Sequence, residues 1–297
     1  MPVKWALVLV GLLAGCRFAN KEASAHKERL VSLSKQYSEI IYALGAQQDL
    51  VAVDLSSTYP PEIKALPTVG YHRALSVEGL VSVKPTLILH DDNVGPEQVM
   101  RQLAQLGIPT RVFHAKGIDI ASTQQLISEM GAYFHKEARA AELNAKLAAD
   151  MARATATPGT PPTPGAPPPA RPRVLAIHFG QAMNLYLSMT NASTAGKMIE
   201  WAGGEMAVKG ERGMIQLSPE VVAQADPDVL LLTDFGYDRL GSPAQIVAAL
   251  PGIATTRAAR SQRIYRVEEH DLVYVGPRTG ENVLKLRELI HAGERPQ

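Results

Sequence analysis

Histidines and carboxylates gather at four places in the 297-residue chain, each directly after a short apolar run: His90-Asp91-Asp92, His114, His178, and Glu268-Glu269-His270-Asp271. Imidazole with carboxylate suits zinc or manganese, so strand ends brought together by a fold would capture a divalent metal ion. Tyr71 and Arg73 offer a different chemistry. A free phenol ionises near pH ~10, but an adjacent guanidinium favours the phenolate, which binds hard cations such as Fe³⁺. Taken alone, Tyr71 is more simply an interfacial aromatic with its hydroxyl on backbone. Arg239, in Asp234-Phe-Gly-Tyr-Asp-Arg239, is a second cation after an apolar run, and a surface salt bridge with Asp238 or Asp234 would account for it. The sequence has no G-x-S-x-G, no H-E-x-x-H and no glycine-rich phosphate loop, so an exported hydrolase has no motif to support it.

Positioning such residues requires elements that end where they begin. Short apolar runs alternate with amphipathic segments, the pattern of an α/β fold with parallel strands. Strands are expected at Arg29–Leu33, Leu50–Val53, Thr86–Leu89 and Thr110–Phe113, with helices at Gln36–Leu44 and Val94–Leu106. From Ser122 to Ala154 the pattern is helical throughout, with Leu143, Leu147 and Met151 at four-residue spacing and Glu142 paired with Lys146 on the surface. Between 158 and 172 stand 8 of the 21 prolines, a composition that cannot form a core. Strands then resume at Arg173–Ile177, Val229–Thr233 and Ile264–Val267, with helices at Thr194–Trp201, Ser218–Ala225 and Gly280–His291. The expected division is an N-terminal lobe at 26–121, an interlobe helical region at 122–154, a Pro-rich linker or insertion at 155–172, and a C-terminal lobe at 173–297. Bending a long helix breaks backbone hydrogen bonds, so the lobes should close little.

With 46% apolar residues the chain can bury real cores, and 30 basic against 29 acidic residues give no basic excess for nucleic acid. A single cysteine, Cys16, excludes an internal disulfide, a zinc finger and a cysteine-held iron–sulfur cluster. Lys4 is followed by ten uncharged residues from Trp5 to Ala14, about half the length of a membrane span, which reads as an export signal over 1–25. Leu13-Ala14-Gly15-Cys16 resembles a lipobox, with a lipoprotein signal at 1–15 and lipidation at Cys16; Ala23-Ser24-Ala25 is a competing site whose cleavage would release a soluble protein.

Leu75–Leu89 can be laid over Leu217–Leu231 without a gap, 142 positions on. Each copy holds a Ser that can cap a helix, a Glu in its first turn, inward apolar residues, a Pro and a buried strand. Capping alone explains Ser76/Glu78 and Ser218/Glu220, since an acid in the first turn is favourable by about 0.3–1 kcal/mol.

This unit, once per lobe, with an export signal and a helix joining the lobes, resembles the class III periplasmic binding proteins of ABC importers. Gly70-Tyr71-His72-Arg73-Ala74-Leu75-Ser76 is similar to an element of their haem-binding branch, as are Ser57-Thr58-Tyr59-Pro60-Pro61 and Gly276-Pro277-Arg278-Thr279-Gly280. The resemblance covers roughly residues 28–292 without the Pro-rich stretch. It implies an α/β fold of two Rossmann-like lobes joined by a long interlobe helix, not an enzyme. The protein would capture haem b (hemin) in the cleft and deliver it to ABC permease and ATPase subunits in the inner membrane, from the periplasm or anchored through Cys16.

For the site, the resemblance implies Tyr71 as an axial haem ligand and Arg73 as contact to a propionate or the phenolate, with Arg239 as a second such cation. His178 would complete six-coordination or hold a second haem; a strand-end histidine with a hydrogen bond is the plainer account, and Phe179 could instead pack on the porphyrin. Met183 and Met189 would line the mouth or fill the core. Glu78 and Glu220 would dock onto permease arginines. A divalent metal ion, a ferric siderophore or cobalamin remain alternative ligands of the same fold.

Overall fold

The structure, a computed structural model, describes residues 28–156, 170–180 and 183–292. The expected export signal, Cys16 and most of the Pro-rich stretch lie outside the described residues.

The N-terminal lobe alternates β1 (Leu30–Ser32), α1 (Lys35–Leu44), β2 (Leu50–Val53), α2 (Val77–Ser82), β3 (Leu87–Leu89), α3 (Glu97–Gln105) and β4 (Thr110–Arg111). Its four strands are all parallel, in the order β2-β1-β3-β4. All their carboxyl ends therefore open on one edge, where ligands of open α/β sheets bind. Ser34 caps α1 and Gly45 ends it in the left-handed region.

Two helices follow where the periodicity predicts one run. α4 (Ile120–Tyr133) stops and α5 (Glu137–Thr155) starts after a turn in which His135 takes φ 55°. The N–H groups of His135 and Lys136 return to the carbonyls of Ala132 and Gly131, a left-handed helix ending built on a histidine rather than the usual glycine. In α5, Leu143, Leu147 and Met151 are buried as their spacing predicts. The expected Glu142–Lys146 pair is not formed: Lys146 reaches Asp150 and Glu281, and Glu142 takes Arg139.

The C-terminal lobe contains β5 (Arg173–Gly180), β6 (Leu185–Met189), α6 (Thr194–Trp201), β7 (Glu205–Met206), β8 (Met214–Gln216), α7 (Pro219–Ala225), β9 (Val229–Thr233), α8 (Asp234–Leu240), α9 (Pro243–Ala249), α10 (Arg257–Arg260), β10 (Ile264–Val267), α11 (Glu269–Val273) and α12 (Thr279–His291). Its sheet runs β10-β9-β5-β6-β8, with β7 paired on β5. β5, β9 and β10 are parallel, whereas β6 and β8 are antiparallel, a feature absent from the all-parallel expectation. Pairing with β6 carries β5 three residues past Ile177, so His178 lies inside the strand opposite Leu187 rather than at its end.

One hydrophobic cluster crosses both lobes. It runs from Leu30, Ile40 and Leu126 through Leu147 and Ala154 of α5 to Val174, Val283 and Ile290. α12 lies against α5 so closely that a Cβ on Gly280 would fall 2.4 Å from the Cβ of Asp150 and 2.7 Å from the backbone nitrogen of Met151.

The Tyr59 and Arg278 motifs, remote in sequence, meet on this seam. The Arg278 guanidinium lies 3.4 Å from the centre of the Tyr59 ring, and its Nε donates to Glu39 Oε1 at 3.1 Å. Its Nη2 donates to Asp271 at 2.8 Å, and Glu39 Oε2 also meets His270.

Candidate functional site

The N-terminal wall of the cleft is built around the loop that follows β2. Gly70, at φ 104°, turns the chain as only glycine does readily, and its carbonyl accepts the Leu55 N–H at 2.8 Å. Tyr71 is thereby displayed with 41% of its surface exposed. Its ring leans on His72, centroids 4.4 Å apart, and its hydroxyl has no hydrogen bond among the described residues.

Behind Tyr71 the hydrogen-bond directions follow from chemistry. Arg73 only donates, and its Nε and Nη2 both reach Asn93 Oδ1, the former at 2.9 Å. The amide nitrogen of Asn93 must then face His72 Nε2, 3.3 Å away. That nitrogen is the acceptor, so Nδ1 carries the proton towards Asp54 Oδ2 at 3.2 Å. Burial would raise the Asp54 carboxyl, but hydrogen bonds from His72, Ser56 and Ser57 hold it below the usual range. The chain Asp54–His72–Asn93 thus anchors Arg73 while leaving Nη1 without a partner among the described residues.

The facing wall comes from the carboxyl ends of β5, β9 and β10. His178 Nδ1 lies 3.1 Å from Glu269 Oε2, and Glu269 Oε1 accepts from Lys35 Nζ of the other lobe at 3.3 Å. Burial opposes charge on Glu269, yet His178 and Lys35 outweigh it and lower its carboxyl to about 2. Lys35 is buried, which lowers its ammonium against the pull of Glu269. Its Nζ sits 4.1 Å from the ring centre of Tyr274. Burial pushes the Tyr274 phenol up, with Asp91, Glu269, Asp54 and Tyr71 adding to the shift.

Arg239 makes no ion pair among the described residues; Asp238, its expected partner, takes Arg266 instead. The Arg239 guanidinium covers the Phe179 ring at 5.0 Å. Phe179 is buried against Tyr186, so the aromatic exposed on this side is Phe235. Leu55 on one wall and Met183 on the other are also well exposed, while Met189 is core.

The metal-type residues do not converge. Among the described residues no group of three or more His, Cys, Asp or Glu side chains is arranged around a common point. His114 is almost fully exposed beside Glu129, His270 faces Glu39 in the seam, and His90 Nδ1 meets the Asp91 carbonyl. Glu78 and Glu220 stand exposed in the first turns of α2 and α7, whose Ser76 and Ser218 accept from Gly79 and Val221 as caps.

The sequence reading did not contain Asp54, Asn93, Lys35 or Tyr274 as site residues, and it held Glu269 only as a metal candidate. The one local signal for these was Asp54, a carboxylate directly after the apolar run of β2.

A family model described as periplasmic binding protein matches residues 30–270. The chain belongs to the periplasmic binding protein family. An uncharacterized ABC transporter substrate-binding lipoprotein, YvrC of Bacillus subtilis, is 25% identical over 288 residues, covering 92% of this chain and 83% of that protein. The vitamin B12-binding protein of Pectobacterium carotovorum is 36% identical over 128 residues, 42% of this chain and 45% of that protein. Among solved structures, the periplasmic heme-binding protein RhuT from Roseiflexus sp. RS-1, in apo form, is 33% identical with a TM-score of 0.77, covering 89% of this chain and 98% of that one. As a periplasmic binding protein this chain is the substrate-binding part of an ABC transporter and not an enzyme, and a permease and an ATPase are its partners. Among the described residues no helix is long and apolar enough to cross a membrane.

Proposed function

We propose that the protein captures haem in the interlobe cleft and hands it to its permease. The observation that carries this reading is the Tyr71 phenol, exposed on the ligand-binding edge of the sheet without a hydrogen-bond partner among the described residues, two positions before a guanidinium anchored by Asn93. A phenolate is a hard donor suited to ferric iron, and Arg73 can stabilise that charge or take a propionate. His178 from the opposite wall supplies an imidazole, and Arg239, which makes no ion pair among the described residues, supplies a second cation for a carboxylate. Exposed Leu55, Met183 and Phe235 provide apolar surface for a flat macrocycle. The likeness to RhuT supports this cargo.

Export, with an envelope location, and anchoring through Cys16 belong to the same proposal; the lipobox-like sequence and the lipoprotein relative support the anchor. Glu78 and Glu220, one per lobe and both exposed, would contact the permease. The vitamin B12-binding relatives favour a second reading, a corrinoid in the same cleft. Titration of the purified protein with hemin and with cyanocobalamin separates the two. On the haem reading a Soret band develops on hemin addition, and Tyr71→Ala weakens hemin binding at least about tenfold, roughly 1.4 kcal/mol. Hemin affinity and spectrum unchanged in Tyr71→Ala would remove the ligand assignment, and binding of cyanocobalamin alone would replace the cargo.

A further inference from the structure

The two ring nitrogens of His178 have different surroundings. Nδ1 is fully buried and lies 3.1 Å from Glu269 Oε2, with no other partner among the described residues. The side chain is nevertheless 18% exposed, so its accessible edge lies elsewhere on the ring, and Nε2 makes no hydrogen bond to any described residue. A carboxylate this close to a ring nitrogen is tolerated when that nitrogen carries the proton, because two lone pairs facing each other repel. The neutral ring is then the Nδ1–H tautomer, and the Nε2 lone pair is left for a ligand.

Glu269 is itself held. Its second oxygen accepts from Lys35 Nζ at 3.3 Å, and its backbone N–H donates to Asp234 Oδ1 at 3.2 Å. Lys35 begins α1 in the other lobe, is 7% exposed, and has its ammonium against the Tyr274 ring. An unbroken line of contacts, Lys35–Glu269–His178, therefore reaches from the N-terminal lobe to an imidazole on the opposite wall.

We propose that Glu269 is a positioning residue that sets the tautomer and orientation of His178 so that Nε2 binds haem iron, and that Lys35 ties this setting to the presence of the opposite lobe. The inference rests on the haem reading above. Metal-bound histidines commonly donate their other N–H to a carboxylate, which fixes the ring and strengthens its donor nitrogen, and loss of such a partner typically costs about 10- to 100-fold in metal affinity. Lys35 keeps the half-buried carboxylate charged and prevents it from rotating away from the ring. The arrangement also explains an ammonium buried at the start of a helix, where a cation is unfavourable to the helix dipole.

The test uses the full-length protein loaded with hemin, with absorption spectra of the ferric form and the rate of haem loss to excess apomyoglobin. His178→Ala should lose the low-spin six-coordinate spectrum. Glu269→Ala should shift towards that same spectrum and release haem about 10- to 100-fold faster, with added imidazole restoring the low-spin form. Glu269→Gln keeps size and an acceptor oxygen but not the charge. It should reach the same fold with a lower thermal midpoint, since the buried Lys35 ammonium loses its charged partner, and show a smaller change in the same direction, as should Lys35→Met. If His178→Ala alters the spectrum while Glu269→Gln and Glu269→Ala match the parent in spectrum and release rate, the positioning role is wrong and the haem reading stands. If His178→Ala itself matches the parent, the ligation by His178 and this inference fall together, while Tyr71→Ala judges the cargo separately.

Discussion

Replacing Arg278 by Met should be among the most damaging single changes outside the cleft. The Glu39 side chain is only 6% exposed and has two partners, Arg278 at 3.1 Å and His270. Losing the guanidinium leaves a buried carboxylate half-compensated, removes the cation from the Tyr59 face, and frees Asp271. Breaking one side of a buried ion pair costs about 3–5 kcal/mol. At roughly 2–4 °C per kcal/mol for a chain of this order of size, the unfolding midpoint should fall by roughly 6 °C or more. Arg278→Lys should recover only part of this, since an ammonium cannot hold Glu39 and Asp271 with one planar fork while lying on the ring. Replacing both Glu39 and Arg278 by Met should be milder than the single change, because no charge is then left buried.

The same network has a pH signature. Burial opposes ionisation of Glu39, but His270 and Arg278 hold its carboxyl below the ordinary value of 4.5. As pH falls the unfolded chain takes up the proton first, so this stabilisation is present above the ordinary value and is lost towards lower pH. Arg278→Met raises the carboxyl and should start that loss at higher pH, while Glu39→Gln should flatten the acid limb. Thermal unfolding followed by circular dichroism from pH 3 to 7 is the assay, with the pH range chosen at roughly two units around the free carboxylate value. A midpoint within about 2 °C of the parent, less than 1 kcal/mol on the scale above, together with an unchanged acid limb, would refute the account of the seam.

Asn93→Leu should remove the donor facing His72 Nε2 and release Arg73, costing about 0.5–1.5 kcal/mol in stability and weakening hemin binding several-fold; a hemin titration identical to the parent would dismiss the relay behind Tyr71. Gly280→Ala forces a methyl into the backbone of α5 and should lower the urea midpoint by the equivalent of about 1–3 kcal/mol, visible in equilibrium denaturation. Glu78→Lys and Glu220→Lys should leave hemin affinity within error and lower stability only by the first-turn contribution of about 0.3–1 kcal/mol, since both side chains are exposed, but abolish stimulation of the reconstituted permease ATPase; stimulation at the parental level would end the docking assignment.

Elements whose stability is local were legible in the sequence. β2, β9 and β10 occupy the expected residues because each is an apolar run closed by polar neighbours, and α6 does so because Ser193 caps it. The break between α4 and α5 was not legible, because the turn uses a left-handed histidine where glycine or asparagine would have marked it. β6 and β8 were missed for the opposite reason: Leu185–Met189 becomes a strand by pairing with β5, and that pairing also places His178 within the strand. The Tyr71 loop could be found from its own residues. Its supports could not, since Asn93 lies 20 positions from Arg73 and Glu269 lies 234 from Lys35. Polar and charged side chains at such separations read as solvated surface until the fold brings them together.

The apolar cluster that passes uninterrupted from one lobe to the other bears on any attempt to make this protein into a sensor. Dyes attached to the two halves would report almost the same spacing whether the groove were filled or not, because sliding the halves apart would tear a shared interior. On the haem reading proposed above, a detector built on this scaffold should instead carry a single emitter near the mouth and read its quenching by bound porphyrin.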